Sequence, residues 1–179
     1  MVPTINKAWI EEMAEKYDYG NNKGMVDLEK RIFEAIKNVG QSPSYLTKAI
    51  LMDIVKWKAS RARGYASKNE DQFIIDVTRV SLSARYEELK IGVLTLMKGV
   101  RYRMASTILY FCFPDTCPIM DWRAWDSLKA LGKIQGEMGD TFESWQKYAG
   151  VCREIAKRNN VPLRTLDKAL WMYKGGTKQ

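Results

Sequence analysis

Apolar side chains recur every three or four residues along most of the chain, which commits it to a stack of amphipathic helices. Thr4 is placed to cap a first helix carrying Trp9, Ile10, Met13, Ala14 and Tyr17, with Gly20 closing it and a loop over residues 20–24. Leu28, Ile32, Phe33, Ile36 and Val39 form a second stripe, ended by Gly40. Ser42-Pro43 opens a third helix, with Leu46, Ala49, Ile50, Met52, Ile54 and Val55 reaching Trp57.

Asp71 to Arg85 is rich in branched residues and reads locally as helix (Phe73, Val77, Val80) or strand. Its helical neighbours favour helix. Tyr86 to Met97 follows with Leu89, Val93, Leu94 and Leu96, and then come 103–113, 119–131, 141–158 and a helix after Pro162. That last helix buries Leu166, Ala169, Leu170 and Tyr173. Met104 to Pro114 is the longest apolar run, too short to span a membrane, and reads as a central buried helix. With no repeat, low-complexity tract or long linker, the expectation is one all-α domain over residues 1–179.

At 179 residues such a domain buries a core without staples. A net charge of +8 calls for an anionic partner, nucleic acid foremost, or else only a soluble basic surface. Lys56 to Arg63 holds four cations and no acid. A solvated face is the plain reading, but Trp57 and Tyr65 nearby favour tracking of a nucleic-acid backbone. Cys112, Cys117 and Cys152 have no metal-type spacing and read as core thiols of a reduced, intracellular protein. No signal-peptide pattern opens the chain. Histidine is absent altogether. That excludes Ser-His-Asp and Cys-His catalysis and the usual zinc sets, leaving a carboxylate, or less commonly Lys or Tyr, to activate water.

Two segments stand out. In Leu94-Thr-Leu-Met97-Lys-Gly99-Val100-Arg-Tyr-Arg-Met-Ala105, two helices meet at a tight turn whose glycine allows a close backbone approach. Leu94, Met97, Val100 and Ala105 lock the helices together, so the turn's amides are expected to face outward at the second helix's start. Amides there suit a phosphate, and Lys98, Arg101 and Arg103 add positive charge. A plain αα-corner would use the same glycine. Twenty-two residues past Gly99 lies Asp121, in Pro118-Ile-Met-Asp121-Trp-Arg123-Ala-Trp125-Asp-Ser-Leu128. The carboxylate falls in the first turn of a helix, where it serves as a cap or is held ionised for chemistry.

Together these segments resemble the helix-hairpin-helix superfamily of base-excision DNA glycosylases. The resemblance rests on Met97-Lys98-Gly99-Val100, Ala105, Ile108-Leu109 and Pro118-Ile119-Met120-Asp121, and covers about residues 94–128. The glycine-to-aspartate spacing looks like that of the adenine-glycosylase branch. It implies a compact helical domain with two helical subdomains flanking a cleft, the helix-hairpin-helix at about 86–113 and the catalytic loop and helix at about 114–131. By the same resemblance, Lys98, Gly99, Val100, Arg101, Tyr102 and Arg103 hold the DNA backbone. The target nucleotide is flipped into a pocket, and Asp121 stabilises the positive charge that builds on the sugar.

The chain departs from the family pattern in ways that narrow the expectation. Lyase-competent relatives carry a lysine where this chain has Arg103, which forms no Schiff base, so a monofunctional enzyme is expected. Arg101 replaces the hairpin's second glycine. Nothing after Cys152 completes the four-cysteine iron–sulfur cluster of some branches, and no cofactor or metal is implied. Where the adenine branch has a base-protonating glutamate this chain has Ile50, with Asp53 about a turn away, so an adenine substrate is not supported. Asp53, Trp57, Trp122, Arg123 and Trp125 are the candidates to line the base pocket, Arg123 alternatively binding a phosphate or pairing with Asp126. The expected partner is double-stranded DNA with a damaged or modified base, met by a cytoplasmic, nucleoid-associated monomer, in repair or in defence against viral DNA. A non-catalytic DNA-binding module and a helical protein-interaction or toxin-like domain are the other readings.

Overall fold

A computed structural model describes residues 3–17, 23–38 and 44–175, and among these the secondary structure is helical with no strand. In chain order the helices are α1 (Lys7–Glu15), α2 (Lys23–Asn38), α3 (Lys48–Ala59), α4 (Arg63–Ala66), α5 (Asp71–Ser83), α6 (Glu87–Gly92), α7 (Tyr102–Cys112), α8 (Trp122–Ala130), α9 (Phe142–Asn159) and α10 (Leu163–Gly175). Short 3-10 turns over Ser60–Ala62 and Val93–Leu96 join α3 to α4 and extend α6. None of the described helices is long and apolar enough to cross a membrane.

The branched segment after Asp71 resolves as helix because Ile74, Val77, Thr78 and Ser81 fall on one buried face at helical spacing. Phe73 and Val80, expected in that stripe, sit off its line and are exposed, as are Leu89 and Leu96 in the next segment. Buried Thr78 donates its hydroxyl to Ile74 O and accepts from Leu46 N at 2.9 Å, tying α5 to the entrance of α3. Leu46 therefore lies before α3 rather than in it, and Thr47 is the cap, accepting from Ile50 N. Likewise Asn6, not Thr4, caps α1, because its Oδ1 reaches Trp9 N at 2.9 Å. Gly20, Val39, Gly40 and Ser42-Pro43 lie outside the described residues.

Helix α7 is the axis of the molecule. Every residue from Met104 to Phe111 is buried, as a helix touched on all sides must be. It packs against α2, α3, α6 and α9. A second set forms where α1 lies along α10 and α10 along α8. Trp9 meets Tyr173 edge-on at 5.5 Å between ring centroids, and Tyr17 meets Trp171 at 5.2 Å. One continuous cluster of buried side chains runs through both sets, from Ile10 to Leu170. Two extended stretches cross between them, the short one from α7 to α8 and the longer one from α8 to α9. Those crossings position the site.

Candidate functional site

The hairpin turn is built as its sequence requires. Leu94, Met97, Val100 and Ala105 are all buried and hold α6, with its 3-10 extension, against α7. Gly99 takes φ +80, and a Cβ there would stand 3.0 Å from Ala66 N and from Tyr65 Cβ. The turn is thus pressed onto α4. Asn69, 3% exposed, fastens it: its Nδ2 donates to Ala66 O (2.8 Å) and Lys98 O (2.9 Å), while its Oδ1 accepts from Lys98 N (2.8 Å).

The expected ring of outward amides is only partly realised. Lys98 N is held by Asn69, and Val100 N donates to Met97 O at 3.1 Å. Tyr102 N, at the first residue of α7, donates to Asp140 Oδ1 at 3.1 Å, and Asp140 Oδ2 pairs with Arg101 Nη1 at 3.1 Å. The group at this helix start is itself an anion, drawn by the same dipole and amides that suit a phosphate. Val100 contributes its side chain to the core rather than to any surface.

The helix expected from residue 119 begins at Trp122, so Asp121 is the cap of α8 and not a member of its first turn. Its Oδ1 accepts from Arg123 N at 3.0 Å and its Oδ2 from Lys58 Nζ at 2.9 Å. The strand-like approach to it is pinned on both sides, Met120 N donating to Ser106 Oγ on α7 (2.9 Å) and Tyr148 Oη on α9 donating to Ile119 O (3.0 Å). Both side chains of the Lys58–Asp121 pair are 16% exposed. Burial by itself pushes the Asp121 carboxyl up. The Lys58 charge and hydrogen bond, with the Arg123 amide, outweigh that and hold it below the ordinary carboxylate range. Capping and ionisation are served by the same geometry.

Two cavities open beside this carboxylate. The larger, about 460 Å³, is lined by the 58–62 segment, by Gly99, Arg101, Arg103 and Met104 of the hairpin, and by Asp121 and Trp122. The smaller, about 200 Å³, is lined by Tyr17, Trp57, Ile119, Trp122, Arg123, Arg164, Asp167 and Trp171 together with Lys58 and Asp121. Lys58, Asp121 and Trp122 belong to both. The larger carries the cations Lys58, Arg61, Arg101 and Arg103, the smaller mixes four aromatic rings with charged groups, and the ionised acid stands between them.

Of the residues the sequence nominates, Trp57, Trp122 and Arg123 line the smaller cavity, and Gly99, Arg101 and Arg103 the larger. Arg123 lies over the Trp171 ring at 4.1 Å and near Trp122 at 5.3 Å. Two nominees fall elsewhere. Asp53 pairs with Arg31 at 3.0 Å, because its turn of α3 faces α2. Trp125 is buried, stacked on Tyr148, with its Nε1 donating to Gly136 O at 3.1 Å, so it serves the core. Lys98 and Tyr102 remain at the turn without lining either cavity.

Sequence reasoning missed Lys58 as the partner of Asp121; it stood inside a basic run that reads as solvated. It also missed Tyr17, Arg164, Asp167 and Trp171. A signal for three of these exists in retrospect: 164, 167 and 171 share one face of α10 at helical spacing, and that face carries charge and an aromatic instead of aliphatics. Comparison of the chain with family models, with curated proteins and with solved structures gives no match.

Proposed function

We propose that this protein is a DNA glycosylase that hydrolyses the N-glycosidic bond of a damaged or modified base flipped out of duplex DNA, with Asp121 as the catalytic carboxylate. The observation that carries the reading is the position of Asp121, ionised by Lys58 and facing both the basic cavity of the hairpin and the small aromatic cavity. Duplex backbone along Gly99, Arg101 and Arg103 brings a sugar to the carboxylate, and the smaller cavity takes the base. Its 200 Å³ is below the ~300–1,000 Å³ of drug-sized sites and suits one flat heterocycle among aromatic rings.

As the base departs, the sugar becomes cationic. A fixed carboxylate in a water-poor site stabilises that charge and takes the proton of the attacking water. Lys58 is engaged in the ion pair with Asp121, and Arg103 stands where a Schiff-base lysine would be needed, so the reaction ends at an abasic site. The test is incubation with duplex oligonucleotides bearing a broad set of modified bases, with released bases scored by mass spectrometry. Asp121→Asn is expected to reduce release by about 10³-fold or more while duplex binding persists. Binding without release across the panel would leave a non-catalytic DNA-binding module.

A further inference from the structure

The smaller cavity holds two carboxylates, and its walls treat them differently. Asp121 has Lys58 to itself at 2.9 Å. Asp167, on α10 with a side chain 8% exposed, shares its cation. Arg164 donates through Nε (3.1 Å) and Nη2 (3.2 Å) to the two oxygens of Glu29, and through Nη1 to Asp167 Oδ2. The two-pronged bond to Glu29 already matches the guanidinium charge. A second carboxylate anion on the same guanidinium is then buried without a cation of its own, which a low-dielectric site penalises. A proton on Oδ1 removes that charge and leaves Oδ2 able to accept from Arg164.

We propose that Asp167 is the proton donor to the leaving heterocycle, acting in the cavity it shares with Asp121. This rests on the glycosidase reading above. A flat ring held among Tyr17, Trp57 and Trp171 meets Arg164 and Asp167 as the polar part of the wall. When the C1′–N bond breaks, its electron pair stays on the base, and Asp167 gives its carboxyl proton to a ring nitrogen or exocyclic oxygen of that base. Water adds to C1′ and passes its proton to the Asp121 carboxylate. Exchange with solvent returns Asp121 to the anion and Asp167 to the acid, so the net change is one water consumed. Burial pushes the Asp167 carboxyl up, against Arg164 and Lys58 and with Asp121, whereas Asp121 is held down. Opposite shifts on neighbouring carboxylates separate an acid role from a base role.

The groups around Asp167 leave its own titration legible. Arg164 on α10, Glu29 on α2, Lys58 on α3, Asp121 before α8 and Arg123 on α8 form the charged set. Tyr17 and Cys152 are pushed up by burial to about 12, and burial carries Tyr148 well above its ordinary value, so these stay neutral where a carboxyl titrates. Single-turnover release is measured from duplexes carrying neutral bases and from one carrying N7-methylguanine, whose cationic ring leaves without a proton. Asp167→Asn is expected to lose roughly 10²-fold or more on neutral bases and about threefold or less on the cationic one, whereas Asp121→Asn loses both. On a neutral base the wild-type rate falls at the alkaline side, Asp167→Asn lacks that limb, and Asp167→Glu keeps it. Binding to a duplex with a tetrahydrofuran abasic analogue checks that the variants fold. Equal losses on both kinds of base, a wild type without the alkaline limb, or release of the cationic base alone would overturn the role of Asp167 and leave the glycosidase reading standing. No release of any base by the wild type would overturn both.

Discussion

The ammonium of Lys58 sits 2.9 Å from Asp121 Oδ2 although the two residues are 63 positions apart, and each lines both cavities of the site. The pair joins the C-terminal end of α3 to the cap of α8. It therefore sets the charge of the acid and the separation of the two walls at once.

Lys58→Met tests that pair through pH. The Asp121 carboxyl lies below the ordinary carboxylate range, so base release should persist until the pH falls through that depressed value. Without Lys58, burial is opposed only by the Arg123 side, and the acid limb of the pH–rate profile should move to higher pH. Stability has the same sign: the contribution of the pair is present above the unfolded carboxylate value and lost as pH falls through the folded one. Loss of one partner should cost about 3 kcal/mol near neutrality, read by denaturant titration. An acid limb that stays put would mean that another group limits the rate.

Asp140 occupies Arg101 and the amide at the start of α7, the groups that a backbone phosphate would need under the proposed function. Asp140→Ala should tighten binding to any duplex and steepen its salt dependence. Lys98→Ala and Arg101→Ala should weaken binding to all sequences alike, each lowering the slope of log affinity against log salt by about 1. Fluorescence anisotropy across a salt series reads all three. Unchanged slopes would place the DNA elsewhere.

Gly99→Ala forces a Cβ into a left-handed backbone position and to 3.0 Å from the α4 backbone. A loss of about 1–3 kcal/mol is expected. Asn69→Ala strips three hydrogen bonds from the same junction and takes the side-chain partner from both the Lys98 amide and carbonyl, for about 2 kcal/mol. Thermal melts measure both, and both should weaken duplex binding by loosening the turn.

Borohydride reduction in the presence of an abasic duplex should yield no covalent protein–DNA adduct, since Arg103 forms no imine and Lys58 is committed to its pair with Asp121. A trapped adduct mapping to Lys58 would refute the monofunctional reading.

What the sequence made legible is local. The helical period located α7 and its burial, and the Gly99 turn and a helix beginning close to Asp121 followed from backbone rules that operate within a few residues. The cap of α1 moved from Thr4 to Asn6, and α3, expected to contain Leu46, begins only after the cap Thr47; such boundaries are decided by geometry. The smaller cavity was beyond local reading. Trp57 faces it and Trp125 does not, although both are tryptophans on amphipathic helices. Lys58 turned inward from a basic run because an acid 63 residues away awaited it. Pairings of that range leave no trace in periodicity.

The contact of Tyr17 with Trp171 has a consequence for how the molecule comes into being. The rings belong to α10 and to the second residue past α1, more than 150 positions apart, yet both wall the smaller cavity. A nascent chain emerging from the ribosome completes its hairpin long before α10 is made, and until then the smaller cavity lacks the wall that Arg164, Asp167 and Trp171 give it. That chamber closes only when α10 docks.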